Sequence, residues 1–283
     1  MNQIKKYTSL LLVLVLLCGL SSTGAEKSKK RDWRLGVQTY SFHLFTFQET
    51  IDKIAELGLN YAEIYYGQKL GGDMEGTMDF CMDEAKQKKI LAYAKSKNVK
   101  LIASGVVICK DEAEWEQLFK FANNMDIKII TCEPEYKYLK YIDELANKYN
   151  IDVAIHNHPK PSNYWKPEMF LKAVEGLSNR IGACADVGHW KRMGLDPVEG
   201  LKKYEGRLKS LHFKDVKEKE EGEAEQHDVI WGRGVCNVEA MLKELDRQRF
   251  KGLFSIEYEH NWNNSVPDIK QCIGVFDEIV TGM

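Results

Sequence analysis

Eight short runs of five or six residues, apolar and rich in β-branched side chains, recur along the chain: Leu35–Tyr40 (LGVQTY), Tyr61–Tyr65 (YAEIY), Val99–Ala103 (VKLIA), Ile127–Cys132 (IKIITC), Ile151–His156 (IDVAIH), Ile181–Asp186 (IGACAD), Leu208–Phe213 (LKSLHF) and Leu253–Glu257 (LFSIE). Near-continuous apolarity over so few residues marks strands buried on both faces. Between them lie longer stretches such as FQETIDKIAELGL, DFCMDEAKQKKILAYAKSKN and NVEAMLKELDRQRF. Their apolar residues recur at i, i+3, i+4 and i+7, with Gly or Asn at several C-terminal ends, so they predict amphipathic helices. Strand and helix in strict alternation imply parallel strands joined by right-handed crossovers. Eight such units over about 250 residues is the count of a closed barrel, so the predicted fold is α/β, a single (β/α)8 TIM barrel. The rival arrangement is a doubly wound open sheet. No glycine-rich phosphate fingerprint follows the first strand to support it, and the Gly232-Arg233-Gly234 stretch is too short a signal to count.

The first residues follow a different pattern. Lys5 and Lys6 form a charged start, Leu10–Leu17 an apolar run, and Thr23-Gly24-Ala25 a small-residue cleavage site. This is the layout of a secretory signal over 1–25, followed by a solvated linker over 26–33 and the barrel over 34–283, and it implies a periplasmic or secreted protein. Cys18, which closes the apolar run, is where a lipid anchor would attach, although the large Leu17 before it is a poor fit to such signals. No stretch has the apolar length of a membrane span.

The 283 residues carry 40 basic and 42 acidic side chains, a net charge of −2. That balance lacks the electrostatic footprint of a nucleic-acid binder. Of seven cysteines, six lie outside the leader, an even number that an oxidising compartment would allow to pair. Cys132 and Cys184 sit inside apolar strand runs and the others are scattered, which reads as buried thiols without a disulfide framework.

In a barrel of this kind the chemistry gathers at the C-terminal ends of the strands. The fifth run exits through His156, Asn157 and His158. The sixth ends at Asp186, with His189 three residues on. The seventh carries His212 and ends in Lys214 and Asp215, and the eighth reaches Glu257 and Glu259. Burying several ionisable groups at one mouth is costly unless they are paired or bound to an ion. Histidine and carboxylate are the ligands that suit Zn, Mn, Co or Fe, so one divalent metal ion is the expected cofactor.

The pieces ADVGHW (185–190), LHFKD (211–215) and IEYEH (256–260) resemble the xylose isomerase-like barrel superfamily of sugar isomerases, epimerases and inosose dehydratases, over nearly all of the chain beyond the leader. The resemblance implies metal ligands at Asp186, His212 and Glu257, with a fourth in an E-N-H-P turn after the fifth strand. This chain has H-N-H-P there, so His156 stands where the family usually places a glutamate. In the family's ketose epimerases two metal-bound glutamates act as acid and base on opposite faces of the reacting carbon. Replacing one by histidine weakens a two-carboxylate epimerisation and leaves a one-sided proton abstraction beside a carbonyl open.

The closest type implied is the secreted bacterial 3-keto-glycoside 1,2-lyase: the proton next to the keto group is abstracted and the C1 substituent eliminated. His158 or Glu257 would be the base, while His189 and Lys214 would position oxygens or protonate the leaving group. Trp165, Trp190, Trp231 and Trp262 follow the last four strands and would form, with Tyr40, Tyr65 and Tyr66, an aromatic wall for a carbohydrate substrate. Lys160, Lys191, Arg192, Lys214 and Arg233 are the basic residues near the mouth, and they form no evident phosphate clamp. The run Lys217–Glu225 (KEKEEGEAE) reads as a solvated excursion, and a lid is one use for it. The same site serves a sugar isomerase or epimerase if a second acid–base exists, for which Glu133 or His158 are the candidates. A carbohydrate-binding protein without activity would show the tryptophans but give no reason for four ionisable exits. A multi-zinc endonuclease would need histidines at the second and third exits, which are missing.

Overall fold

The structure is a computed structural model that describes residue 31, residues 33–223 and residues 226–283. The leader, the cleavage site, Cys18 and most of the linker lie outside the described residues. Eight parallel strands close the barrel: β1 (Arg34–Gln38), β2 (Tyr61–Ile64), β3 (Lys100–Val107), β4 (Ile129–Cys132), β5 (Asp152–His156), β6 (Ile181–Asp186), β7 (Leu208–Phe213) and β8 (Leu253–Ile256). Each pairs with its sequence neighbours, and β1 pairs with β8 in the register Val37 with Ile256 to complete the ring. All eight predicted runs are strands of this barrel.

Helices form the outer layer, and local chemistry starts them. Thr46 and Glu49 make a reciprocal capping box for Phe47–Glu56, while Asp83 and Asp111 accept from backbone N–H groups at the starts of Glu84–Ser96 and Glu112–Asn124, satisfying donors that have no partner within the helix. Two short antiparallel ladders interrupt the alternation, Lys69–Gly71 with Met74–Thr77 and Asp215–Val216 with Asp228–Val229. The second brackets the acidic excursion after β7, where Lys217 pairs with Glu220 and Glu223. The described residues from 33 onward form one compact unit.

Alternate residues of a strand face the same way, and the inward-facing ones set up the site. They read Tyr61 and Glu63 on β2, with Tyr65 just past its end; Ile129 and Thr131 on β4, with Glu133 just past; Ala154 and His156 on β5; Cys184 and Asp186 on β6; Ser210 and His212 on β7, with Lys214 just past; and Leu253 and Ser255 on β8, with Glu257 just past. Small or apolar side chains fill the lower barrel, where Ile102, Ile129, Ala154, Cys184 and Leu253 pack together. Hydroxyl and ionisable side chains follow one step higher. The six cysteines among the described residues are free thiols, all buried except Cys81. No helix among the described residues is long and apolar enough to cross a membrane.

Candidate active site

His156, Asp186, His212 and Glu257 are buried at the C-terminal mouth, and one ligand-type atom of each lies within 4.8 Å of all the others. His156 Nε2 is 3.5 Å from Asp186 Oδ2, and His212 Nδ1 is 2.9 Å from Glu257 Oε2. Both ring nitrogens of His156, His212 Nδ1 and Asp186 Oδ2 make no directed hydrogen bond. Buried polar atoms almost always find a partner. Two imidazoles and two carboxylates converging in this way are the donor set that a divalent cation satisfies.

The charge states fit that use. Burial, then the neighbouring His158 and His212, push His156 down to about 4 against the pull of Asp186, so its ring is neutral at pH 7 and has a lone pair to give. Burial works against charge on Asp186, but His189, Lys214 and His156 outweigh it and hold the carboxyl well below its usual range. Glu257 is lowered in the same way, burial being overcome by His212 and Lys214. His212 is raised: burial opposes its charge, and Cys184, Glu257 and Glu63 outweigh that opposition. His212 Nδ1 and Glu257 Oε2, 2.9 Å apart, are close enough to share a proton or to hold one ion between them.

Glu63 was not foreseen from sequence. It is fully buried on β2 beneath His212, and its carboxylate accepts from Thr131 at 2.5 Å and Ser255 at 2.5 Å, with His212 Nε2 at 3.2 Å. A carboxylate can only accept when ionised, so it fixes a proton on His212 Nε2 and leaves Nδ1 as the nitrogen that faces the ligand group, free to bind an ion once its own proton is displaced. Burial alone would raise Glu63, but His212 and the hydrogen bonds from His212, Ser255 and Thr131 keep it lowered. The signal in the sequence was a charged residue in the middle of the apolar run YAEIY.

Asn157, between the two histidines, is buried and points sideways. Its Oδ1 accepts from Asp186 N at 2.8 Å and its Nδ2 donates to Asp186 O at 2.9 Å, which ties the exit of β5 to that of β6. His158 sits at the rim, with Nδ1 2.9 Å from Glu133 Oε2 and its ring 4.4 Å from that of His156. Glu133 also accepts from Ser162. Burial favours a neutral His158, but the hydrogen bond and charge of Glu133 outweigh it and raise the ring above its ordinary value.

Lys214 is wholly buried. Its Nζ lies 2.7 Å from Glu257 Oε2, 2.8 Å from Glu259 Oε2 and 3.0 Å from Asp186 Oδ2. Burial opposes its charge, and Asp186, Glu257 and Glu259 more than restore it. His189 backs onto the same carboxylate, with Nε2 3.5 Å from Asp186 Oδ2. The structure therefore brings all the predicted ligand and acid–base residues to one mouth.

Asp215 belongs to the framework instead. It accepts from the N–H groups of Gly232, Gly234 and Cys236, each at 2.9 Å, and a Cβ at Gly234 would meet Asp215 Oδ1 at 2.3 Å. Two of the four tryptophans expected in an aromatic wall, Trp190 and Trp231, belong to the core instead. Trp190 is fully buried against Tyr204, over Gly200, where a Cβ would strike its ring at 2.6 Å. Trp231 is 1% exposed between Phe213 and Phe276. Both rings pack into the helix layer. Tyr66 is likewise turned toward Phe80 and Phe121. A half-buried aromatic cluster is formed by His43, Tyr65 and Trp262 with the exposed Tyr40, His43 lying 4.3 Å and Tyr40 5.9 Å from the Trp262 ring. Trp165 is half-buried, under the ammonium groups of Lys160 and Lys166.

A concavity of about 390 Å³ at the opposite end of the barrel is lined by Arg34, Lys128, Asp152, Arg180, Lys209 and Lys251. Its acid, Asp152, is engaged by Arg180 and Lys209, and the ligand group lies at the other end.

A family model described as a xylose isomerase-like TIM barrel matches residues 51–278 of the chain. An inosose dehydratase from Clostridium perfringens is 25% identical over 135 residues, which make up 44% of this chain and 46% of that protein. The chain thus spans under half the length of the curated relatives it matches. Among solved structures, an uncharacterised protein from Parabacteroides distasonis ATCC 8503 is 38% identical with a TM-score of 0.72, covering 87% of this chain and 99% of that one. A D-tagatose 3-epimerase-like protein is 18% identical with a TM-score of 0.69, over 88% of this chain and 97% of that one. This last likeness shows the fold alone.

Proposed function

Since the chain belongs to the xylose isomerase-like TIM barrel family, we propose that it is a divalent-metal-dependent lyase acting on oxidised sugars, namely 3-keto-glycosides. It would remove the proton beside the keto group and eliminate the substituent on C1. The observation that carries this reading is the asymmetry of the acid–base groups. Glu257 is the single glutamate of the ligand group, and His212 and Lys214 hold it on two sides. His156 takes the fourth position, and a histidine backed by a carboxylate, His158 with Glu133, stands on that flank. A dehydratase among the relatives accords with an elimination.

His158 is the base of the proposed reaction. Glu133 accepts from its Nδ1, which leaves the Nε2 lone pair for the C2 proton. As that proton leaves, the C2–H electron pair becomes the C1–C2 double bond and the C1–O bond breaks. The departing oxygen takes up a proton and leaves as an alcohol, so the reaction balances without an oxidant or reductant. Lys214 neutralises Glu257 and Asp186 from behind and keeps both carboxylates ionised in a buried site. His156, Asp186, His212 and Glu257 would hold a divalent ion, which would supply Lewis-acid polarisation of the sugar carbonyl. Tyr40, His43, Tyr65 and Trp262 would offer ring faces and edges to the C1 substituent.

The competing reading is an isomerase or epimerase, in which the proton returns to carbon. It needs a second acid–base, and Glu133 is already committed to His158 and Ser162. One experiment separates the two. The protein is stripped with chelator, reloaded with Mn, Co or Zn, and incubated in heavy water with 3-keto-glucosides and free ketoses. Release of the aglycone identifies the lyase. Deuterium in an intact sugar identifies the epimerase and overturns the proposal, as does full turnover after chelation.

A further inference from the structure

His189 lies on the short helix Val187–Arg192, one turn beyond the metal-ligand candidate Asp186, which caps that helix by accepting from His189 N at 2.6 Å. Its ring is largely buried, with Nε2 facing Asp186 Oδ2 and its centroid 5.7 Å from His156 and 5.4 Å from His158. By position it is a third imidazole beside the other two, and these three can be read as a second metal-binding group.

The other ring nitrogen argues against that use. His189 Nδ1 lies 3.3 Å from Arg192 Nη1. A guanidinium has only donors, so Nδ1 has to be the acceptor. A ring that accepts at Nδ1 has no proton there, so its proton sits on Nε2. Arg192 is itself fixed. Its Nε donates to Gln226 O at 2.9 Å and its Nη2 to Asp228 Oδ1 at 2.5 Å, so the ladder that brackets the excursion after β7 orients the guanidinium.

We infer that Arg192 is a positioning residue that locks His189 in the Nε2–H form, making it a hydrogen-bond donor to a substrate oxygen and withholding it from metal ligation. The identity of that oxygen, on the departing C1 substituent or a neighbouring hydroxyl, rests on the lyase reading. The tautomer does not. The ring with Nδ1 protonated would present a lone pair to the mouth and add a third ligand to the two histidines beside it. Arg192 therefore decides whether the mouth offers a donor or a second cation site.

The test is a two-bond ¹H–¹⁵N spectrum of the full chain loaded with Zn, a diamagnetic ion, with His189 assigned from the spectrum of His189→Gln. Metal content after loading and dialysis is read on the same samples. The expected result is a protonated Nε2 and an unprotonated Nδ1 for His189, with one Zn per chain. Arg192→Lys, which keeps the charge but not the planar fork, is expected to shift His189 toward a tautomer mixture. A protonated Nδ1 in the unsubstituted protein overturns the inference, as does a second Zn that is lost in His189→Gln. The unsubstituted spectrum decides the matter even if Arg192→Lys fails to fold. Neither readout involves turnover, so failure of the lyase reading would leave it standing, and the reverse also holds.

Discussion

Asn157 holds Asp186 by both of its backbone groups, accepting from the N–H at 2.8 Å and donating to the C=O at 2.9 Å. Neighbouring parallel strands stop pairing at their exits, and here a side-chain amide takes over the ladder where the ligands begin. Asn157→Ala would leave the buried Asp186 N–H without its partner and take one bond from the Asp186 C=O, a loss on the order of 1–3 kcal/mol. Because Asp186 would then drift from His156, metal affinity is expected to fall about 10–100-fold. Urea unfolding and metal titration read the two effects. Unchanged metal affinity would mean that Asp186 holds its place without this clamp.

The strands and their exits were legible in sequence because a doubly buried strand leaves a short apolar run, and because polar residues ending such runs have few other places to go. β3 runs on to Val107, beyond the predicted Ala103, and the Lys69–Thr77 hairpin escaped notice since its residues match no strand period. Direction was harder to read. Whether Trp190 and Trp231 face the mouth or the helix layer depends on which strand neighbour packs behind them, and they turned out to be core. Arg192 appeared as one basic residue among five, since nothing local to it reveals that Asp228 and Gln226, both distant in sequence, fix its direction.

Glu63 sits behind His212 with three side-chain partners. Glu63→Gln can still accept from His212 Nε2 but loses the charge that raises the basicity of the ring. Affinity for Co or Zn is expected to fall about 10–100-fold, and the visible spectrum of the Co-loaded protein should change as the His212 ligand field weakens. Isothermal titration and absorption spectroscopy measure both. An unaltered Co spectrum would reduce Glu63 to packing.

Metal affinity should depend on pH, with a sign set by His212. Its raised pKa means that the metal-free protein carries an extra proton at Nδ1, which an ion must displace. Affinity therefore increases as pH rises, by about tenfold per unit for one displaced proton, and levels off above the pKa of the folded ring. Proton release into two buffers of different ionisation heat, followed by calorimetry, counts that proton directly. A flat profile between pH 5 and 8 would contradict the arrangement of Glu63, His212 and Glu257.

His158 gives the reaction its own pH limb. Glu133 raises the ring, and a protonated ring cannot accept the C2 proton, so kcat/KM should climb as pH rises through the raised value. Removing the charge with Glu133→Gln lowers that value and moves the limb to lower pH, while the maximal rate falls because Nε2 becomes a weaker base. Rate profiles of the two proteins on a 3-keto-glucoside show the displacement. If the limb moved upward, His158 would not be the base.

His156→Glu restores the glutamate that the family usually places after the fifth strand, and it tests the role of asymmetry. The change adds a third carboxylate to a buried site that already holds Asp186 and Glu257. In chelator, like charges repel, so the thermal midpoint should fall; on adding Mn or Co it should recover by more than the unsubstituted protein gains, because metal binding now offsets the larger repulsion. An extra negative ligand also weakens the polarising power of a bound cation, so elimination should slow roughly tenfold or more, about 1.4 kcal/mol of transition-state stabilisation per factor of ten. Proton return to carbon gains a second carboxylate on the opposite flank, and deuterium incorporation into intact sugar should rise. Mass spectrometry of one reaction mixture reads both outcomes as a ratio of released aglycone to deuterated substrate. A ratio that stays constant while both rates fall would show that His156 acts as a ligand without directing the course of the reaction.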